Sequence, residues 1–372
     1  MAEEKEVMGR VKSIFIYPIK SCKGISVSQA ALSPTGFVWD RHWVVVNSKG
    51  RGCTQRVEPK LALIQVELPT EAFSLGWVPT KSSYMLVRAP GMAELKVSLT
   101  KPSLSSDGVS VWEWSGSALD EGDEAAKWFT EFLGKPSRLV RFNEESETRP
   151  VEAKYATGYN VKFTDAFQFL LISQASLDAV NEQLKEPVSI NRFRPNIFVD
   201  CCEPFAEDLW KQIKINESNF QGARLCARCK VPTINQEDAT QGSEPTETMM
   251  KFRSAKALEV DTSTSRFKGA AYLGLMLVWE NTDNGSKKVI TVGDAVHVEK
   301  WTQGSEPTET MMKFRSANAL EVDTSTSQYK GQAYLGQMLV WESTDNGSNK
   351  VIKVGDAVHV EKVFPSYADV AV

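Results

Sequence analysis

The stretch FQFLLISQASLDAVNEQLKEPVSINRFRPNIFVD, at residues 167–200, changes its hydrophobic period twice. FQFLLIS is a short apolar run of the kind that forms a buried strand. SQASLDAVNEQLKEP has helical spacing, with Ser173 as a candidate N-cap. INRFRPNIFVD then predicts a second strand. A strand, a helix and a strand in succession indicate that this half of the chain mixes sheet with helix.

Upstream of this stretch the chain predicts mostly strands. The first 118 residues contain short runs rich in Val, Ile, Trp and Tyr, separated by turn signals, as in VKSIFIYPIK, WDRHWVVVNSKG and LALIQVELP. LDEGDEAAKWFTEFLGKP, at residues 119–136, predicts a helix that ends at Gly134. A polar segment at residues 143–160 suggests a linker. The predicted fold class is α+β, mainly β.

Downstream, a segment of the chain occurs twice. Residues 240–300 recur at residues 302–362 with eight differences over 61 aligned positions. Two nearly identical copies do not make a solenoid, which needs three or more stacked units. Recent tandem duplication, or an error in joining coding segments, explains them better. Each copy predicts a helix (EPTETMMKF), a strand (AYLGLMLVWE) and a hairpin (KVITVGDAVHV), and we expect the first copy to pack with the preceding sheet.

Composition excludes several classes of protein. A hydrophobic content of 42% with 24% charged residues is that of a soluble globular chain, and a formal charge of −4 does not favour nucleic acid. No apolar run reaches the roughly 20 residues of a membrane span. The acidic N-terminus, MAEEKEVMGR, resembles neither a secretory signal nor a transit peptide. We therefore expect a cytoplasmic protein with reduced thiols.

Two of the six cysteines stand close together in GARLCARCKVPTINQ, at residues 222–236. Cys226 and Cys229 could belong to a zinc clip, although zinc usually takes two such pairs. They could form a redox dithiol, or Cys229 could be a single thiolate beside Arg228 and Lys230, suited to a soft or high-valent transition metal. Taken alone, the segment favours simple packing of both thiols in the core.

Cationic side chains alternate with apolar residues in several predicted strands. Lys20 and Ser21 follow one strand, Arg41 begins another, and Arg192, Arg194 and Asn196 lie in NRFRPNI. Buried cations need anionic partners, which could be Asp40 or Asp165 in structural ion pairs. If the cations converge instead, phosphate is the natural guest, because guanidinium groups bind it in bidentate fashion.

The chain resembles the MOSC-domain proteins, specifically the amidoxime-reducing-component branch and its plant members labelled molybdenum cofactor sulfurase family proteins. The resemblance rests on seven segments in order: IYPIKSCKG, WDRHWVVVN, TQRVEPKLALI, NRFRPNIFV, LCARCKVPTINQ, EPTETMMKFR and VGDAVHV. It implies a β-rich N-terminal domain at residues 1–145, packed on a MOSC β-barrel with peripheral helices at residues 146–300. The second repeat copy and a C-terminal tail then occupy residues 301–372.

The resemblance also implies a molybdenum cofactor, Mo-molybdopterin, whose metal is bound by one protein cysteine, Cys229. The residues implied to hold the phosphate and pterin are Lys20, Ser21, Arg41, Arg194, Asn196 and Arg228. Asp165 lies where the family has pocket residues, although DAFQF departs from the expected pattern. Cys226 is then a structural neighbour.

The implied reaction is the two-electron reduction of small N-hydroxylated compounds, such as amidoximes and hydroxylamines. In this family, electrons come from NADH through a reductase and a b-type cytochrome. The alternative is a cofactor carrier or sulfur-transfer binding module without redox turnover of its own. The family also makes mitochondrial location the alternative to the cytoplasm.

Overall fold

The computed structural model describes residues 7–258, 269–281 and 288–298, and all of these except residues 255–258 belong to one compact unit. The strands of the first half are β1 (Val7–Ile16), β2 (Ile25–Val27), β3 (Gln29–Ser33), β4 (Gly36–Phe37), β5 (Trp43–Asn47), β6 (Gln65–Glu67), β7 (Tyr84–Arg88), β8 (Leu95–Ser98), β9 (Leu104–Val111), β10 (Trp114–Asp120) and β11 (Ser137–Phe142). The later strands are β12 (Phe169–Ser173), β13 (Ile197–Asp200), β14 (Gln212–Ile215), β15 (Ser218–Ala227), β16 (Tyr272–Glu280), β17 (Val289–Thr291) and β18 (Ala295–Val298). The α-helices are α1 (Asp123–Leu133), α2 (Gln174–Glu182) and α3 (Thr246–Phe252).

Seven strands close into a barrel in the order β13-β12-β16-β15-β14-β18-β1. The ring closes because β1, from the start of the chain, pairs antiparallel with β13, with Ile14 opposite Ile197. β12 and β13 are parallel, and α2 lies between them in the chain. The strand-helix-strand stretch therefore forms two neighbouring barrel strands and their crossover.

The rest of the first half forms smaller sheets. β5, β11, β10 and β9 make a four-stranded sheet, and β6, β7 and β8 make an antiparallel sheet of three strands. One hydrophobic core joins these sheets to the barrel, since Trp43 of β5 and Ile14, Phe169 and Phe220 of the barrel are all fully or almost fully buried in the same cluster. The two halves of the compact unit are thus packed together.

Most elements predicted from the sequence are present, and the fold class, α+β and mainly β, is confirmed. The predicted helix at residues 119–136 is α1, and Gly134 follows it in the left-handed conformation with φ 72°. Ser173 caps α2, because its hydroxyl accepts a hydrogen bond from the Ser176 amide at 3.1 Å. The predicted helix and strand of the first repeat copy are α3 and β16.

The predicted strand INRFRPNIFVD is wrong over its first half. Residues 190–192 form a 3-10 turn, and only Ile197–Asp200 is strand. Arg194 has a left-handed backbone with φ 57°, and Pro195 has no amide hydrogen to donate to a ladder. The predicted strand LALIQVELP is likewise wrong over its first half, where the 3-10 turn Pro59–Leu63 precedes the short strand β6.

The predicted hairpin KVITVGDAVHV is also wrong. β17 pairs with β3, whereas β18 pairs with β1 and β14 in the barrel. The turn between them sends the two strands to different sheets, with the Val292 amide bonded to the Ser28 carbonyl and the Gly293 amide to the Val11 carbonyl. Tertiary partners therefore decide the pairing.

The first repeat copy supplies α3, β16, β17 and β18. The second copy lies outside the described residues. The polar segment at residues 143–160 has no helix or strand, yet Arg149 and Val151 in it are buried. The domain boundaries at residues 145 and 300 remain a prediction. β1, from the start of the chain, is a strand of the barrel.

Gly274, the third residue of β16, provides a test of barrel packing. Its φ is +83°, and a Cβ atom there would lie 2.7 Å from the Leu171 carbonyl oxygen and 2.6 Å from an Ile172 side-chain carbon. We expect Gly274→Ala to lower the free energy of unfolding by about 2–4 kcal/mol, from left-handed strain plus overpacking. Urea denaturation measures this loss.

The matched control is Gly91→Ala. Gly91 has a similar φ of +76° but no atom within 4 Å of an added Cβ. It should lose only about 1 kcal/mol, from backbone strain alone. Equal losses in the two variants would contradict the close packing at β16.

Candidate functional site

A cavity of about 340 Å³ opens between the barrel and loops of the first half of the chain. This volume lies in the range of small-molecule sites. All eight residues that the resemblance implies for the site line it: Lys20, Ser21, Arg41, Asp165, Arg194, Asn196, Arg228 and Cys229. Arg192, from the same NRFRPNI segment, does not, and its guanidinium donates to the Pro232 carbonyl instead. The structure thus brings together segments that are up to about 200 residues apart, while the roles of these residues remain predictions.

Pairing of β1 with β13 brings two of these segments together. The residues after β1 and the residues before β13 leave the barrel at the same place, because the strands are antiparallel. The Phe15 amide donates to the Asn196 carbonyl at 2.9 Å, which fixes this register at the cavity. Residues 17–20 then run beside the start of β5, where the Arg41 amide donates to the Tyr17 carbonyl at 2.7 Å.

Lys20 and Asp165 form an ion pair in the cavity wall. The Lys20 ammonium donates to Asp165 Oδ1 at 2.5 Å and to the Phe163 carbonyl at 2.8 Å, and its side chain is buried. Burial lowers the pKa of Lys20 to about 8, against the opposing effect of Asp165. Burial tends to raise the pKa of Asp165, but the charges of Lys20 and Arg56 outweigh it and hold that pKa below its usual range. Asp165 is half exposed, so its carboxylate remains accessible.

Arg41 and Arg194 lie next to each other. Arg41 Nη1 contacts both oxygens of the buried Asp40 carboxylate, at 2.7 and 2.9 Å, and donates to Asn196 Oδ1 at 3.0 Å. Arg194 Nη2 donates to the Cys22 carbonyl at 2.8 Å. Among the described residues, Arg194 has no carboxylate within ion-pair distance, so none of them neutralises its charge by direct contact.

Arg228 is a second arginine that has no carboxylate partner among the described residues. It donates to the Phe193 carbonyl at 2.8 Å and to the Cys226 sulfur at 3.0 Å, while its buried Nε has no hydrogen-bond partner within the described part of the chain. Burial raises the pKa of the Cys226 thiol, with Arg228 opposing it. Cys226 is therefore a buried neutral thiol that helps to orient Arg228.

Cys229 differs from Cys226 in exposure. Its thiol is half-buried and lines the cavity, and the Val231 amide lies 3.5 Å from its sulfur. A single 3-10 turn, Val231–Thr233, follows it. Over the ranges that the structure describes, no three His, Cys, Asp or Glu side chains converge as metal ligands.

A pair of buried glutamines holds the Ser21 and cysteine loops together. Gln55 and Gln236 exchange two hydrogen bonds of 3.0 Å between their amides, and Gln55 also donates to the Ser21 carbonyl at 2.7 Å. Both side chains are almost completely buried. Sequence reasoning missed this pair, since nothing in TQRVEP or PTINQ indicates that the two amides meet.

Arg56 and Trp112 also line the cavity and were not predicted. The Arg56 guanidinium lies 4.2 Å from the centre of the Trp112 ring, and Trp112 Nε1 donates to Asp165 Oδ1 at 3.2 Å. Arg149, in the segment predicted as a linker, donates to the carbonyls of Lys162 and Thr164 at 2.8 and 2.6 Å. It thereby fixes the loop that carries Asp165.

Strained backbone is concentrated at this cavity. Four of its lining residues other than glycine have a left-handed conformation: Ser21, Arg41, Trp112 and Arg194, with φ between 44° and 70°. Each costs of order 1–3 kcal/mol, and such residues cluster at functional sites. The surrounding fold therefore imposes the arrangement of these side chains.

Sequence models of two protein families match this chain. The MOSC N-terminal beta barrel domain matches residues 8–136, and the MOSC domain matches residues 158–297. No α-helix in the described ranges is long and apolar enough to cross a membrane.

Several named proteins are similar to this chain. Mitochondrial amidoxime reducing component 2 of Rattus norvegicus is 33% identical over 258 residues, which cover 66% of this chain and 73% of the relative. Mitochondrial amidoxime-reducing component 1 of Homo sapiens is 30% identical over 301 residues, 78% of this chain and 83% of the relative. Molybdenum cofactor sulfurase of Danio rerio is 30% identical over 301 residues, which cover 76% of this chain but only 34% of that protein.

The glutamine pair can be tested by a double-mutant cycle. Gln55→Ala or Gln236→Ala leaves the partner amide buried without its hydrogen bonds, so each should lower the free energy of unfolding by about 1–3 kcal/mol. The double variant should cost at least about 1 kcal/mol less than the two single losses together. Additive losses in urea denaturation would show that the amides do not depend on each other.

The lowered pKa of Lys20 predicts a pH dependence of stability. Between about pH 8 and pH 10.4 the unfolded chain holds a proton on Lys20 that the folded protein has released, so unfolding becomes harder as pH rises. Relative to Lys20→Met, the wild type should gain about 2 kcal/mol between pH 7 and pH 10. The exposed Lys60→Met serves as the control, and parallel pH profiles of wild type and Lys20→Met would contradict the prediction.

Proposed function

This chain belongs to the family of MOSC-domain proteins that includes the amidoxime-reducing components, and on this premise we propose that it is a molybdenum-cofactor-dependent N-reductase. The cofactor would occupy the 340 Å³ cavity, with Cys229 as the protein ligand of the metal. Small N-hydroxylated compounds, such as amidoximes and hydroxylamines, would be the substrates.

The observation that carries the proposal is the charge balance of the cavity. Lys20 and Arg41 are neutralised by Asp165 and Asp40, but Arg194 and Arg228 have only carbonyl and sulfur partners among the described residues. Two guanidinium groups without a carboxylate, in a largely buried wall, favour an anionic guest such as a phosphate.

The remaining donors fit the polar parts of a pterin phosphate. Ser21 brings a hydroxyl to the wall, and the buried Asn196 brings an amide whose Nδ2 is bonded to the Phe15 carbonyl. Cys229 supplies the one sulfur that such a metal needs from the protein, since thiolate is a soft ligand. When bound, the cofactor would supply the two-electron reduction of an N–OH group.

The net reaction, R–NH–OH + 2 H⁺ + 2 e⁻ → R–NH₂ + H₂O, consumes two protons as well as two electrons. Lys20 Nζ is suited to hold one of them, because its pKa of about 8 lies near neutral pH. The half-exposed Asp165 carboxylate can accept hydrogen bonds from the N–H groups of an amidoxime. Arg149 and Trp112 would keep this carboxylate in place.

Electrons would come from NADH through a reductase and a b-type cytochrome, as the sequence resemblance implies. We further propose that the protein resides in the cytoplasm, with the mitochondrion as the alternative that the names of its relatives suggest. Fractionation of cells that express the tagged chain tests the location.

Molybdenum content tests the proposed function. We expect protein from a host that makes molybdenum cofactor to contain close to one molybdenum per chain, and Cys229→Ala to lose it together with hydroxylamine and amidoxime reduction. Plasma mass spectrometry and an assay with a chemical reductant measure these two properties.

Cys226→Ala is the matched control. It removes the sulfur that Arg228 contacts but not the proposed ligand, so it should retain most of the molybdenum. Equal loss in both variants would indicate a dithiol or a zinc clip. A wild-type protein that binds molybdenum and exchanges its cofactor, but reduces no N-hydroxylated compound, would instead be a cofactor carrier.

A further inference from the structure

Tyr17 is in contact with two of the cavity's guanidinium groups. The carbon at the centre of the Arg41 guanidinium lies 4.2 Å from the centroid of the Tyr17 ring, and that of Arg194 lies 4.3 Å from it. Tyr17 itself is 2% exposed and immediately follows β1. One aromatic ring therefore contacts two like charges.

The hydroxyl of Tyr17 has no evident role. It is buried and has no hydrogen-bond partner within the described residues. Leaving a hydroxyl unpaired in the interior costs free energy, so a phenylalanine would pack at least as well. What the position uses is thus the aromatic ring and not the hydroxyl.

The ring compensates for a repulsion that the other contacts leave in place. Asp40 neutralises Arg41, whereas among the described residues the Arg194 guanidinium has the Cys22 carbonyl and the Tyr17 ring as its contacts and no carboxylate. The Arg41 Nη2 also donates to the Arg194 carbonyl at 3.3 Å, which keeps the two residues adjacent. A cation over an aromatic face gains about 0.5–2 kcal/mol, more when it is removed from water.

Gly24 fixes the position of the ring from its edge. A Cβ atom at residue 24 would lie 2.5 Å from Tyr17 Cε1 and 2.8 Å from Cδ1, closer than such atoms approach in proteins. No side chain fits at residue 24 unless the ring moves. The ring is therefore confined by the guanidinium groups over it and by backbone at its edge.

We propose that Tyr17 is a positioning residue, whose ring holds the Arg41 and Arg194 guanidinium groups together so that both can bind one phosphate group. The inference rests on the proposed function in that the phosphate would belong to the cofactor. Burial raises the pKa of Tyr17 to about 12, so the ring remains uncharged over the physiological range and does not itself neutralise the arginines.

The test uses inorganic phosphate as the probe and protein made in a host that lacks the cofactor. Isothermal titration calorimetry measures the affinity for phosphate, and urea denaturation without phosphate measures stability. Tyr17→Phe keeps the ring and should bind phosphate within about twofold of wild type with equal or greater stability. Tyr17→Leu removes the ring and should weaken binding by about tenfold or more.

Gly24→Ala displaces the ring while leaving Tyr17 unchanged, so it covers the case in which Tyr17→Leu does not fold. It should also weaken phosphate binding by about tenfold in the folded protein. A merely structural role for Tyr17 would change stability but not the affinity of the folded protein.

Three outcomes would overturn the inference. Folded Tyr17→Leu or Gly24→Ala could bind phosphate as tightly as the wild type. Tyr17→Phe could lose as much phosphate affinity as Tyr17→Leu, or the wild type could fail to bind phosphate at millimolar concentration. The proposed function fails differently, through absence of molybdenum or of N-reduction in the wild-type protein. If the wild type from a host that makes the cofactor contains no molybdenum, but phosphate binding still depends on the Tyr17 ring, the proposed function fails and the inference about Tyr17 stands.

Discussion

The antiparallel pairing of β1 with β13 is the constraint on which the cavity depends. It closes the barrel between the start of the chain and a strand near residue 200, and its register puts the residues after β1 beside those before β13. Tyr17 and Lys20 from one segment thereby meet Arg194 and Asn196 from the other. A shift of one residue in this register would turn the side chains of β1 to the opposite face of the barrel and change which residues lie opposite each other at the strand ends.

The barrel brings more positive charge to one place than it neutralises. Asp40 is almost completely buried and contacts Arg41, and Asp165 pairs with Lys20. Main-chain carbonyls orient the guanidinium groups of Arg194 and Arg228 but carry no full charge. Buried cations of this kind are costly unless an anion joins them, and the cost is a reason for the site to bind one.

Local signals in the sequence were enough to predict much of the fold. The cap at Ser173, the end of α1 at Gly134 and the apolar runs of β12 and β16 each depend on neighbours within a few residues. The hairpin prediction failed because β17 and β18 find partners far away in the chain, and no local pattern specifies them.

The candidate site also contains residues that the sequence indicated and residues that it did not. Cations in apolar strands stand out in a sequence, and of those singled out Lys20, Arg41 and Arg194 line the cavity, whereas Arg192 does not. Tyr17 and Gln55 do not stand out, because an aromatic residue or an amide near a strand end has the same appearance whether it packs in a core or supports a site. Arg149 was hidden in a segment whose polarity suggested a linker, since sequence shows composition but not burial.

The left-handed residues at the cavity show how the fold and the site are linked. Ser21, Arg41 and Arg194 would each prefer another backbone conformation, and each is held by a contact from a different part of the chain: Gln55 for Ser21, the Tyr17 carbonyl for Arg41 and the Cys22 carbonyl for Arg194. Such strain persists only where the surrounding structure offsets it. The buried core that joins the barrel to the smaller sheets is what offsets it here, so the geometry of the site is a consequence of the stability of the whole unit.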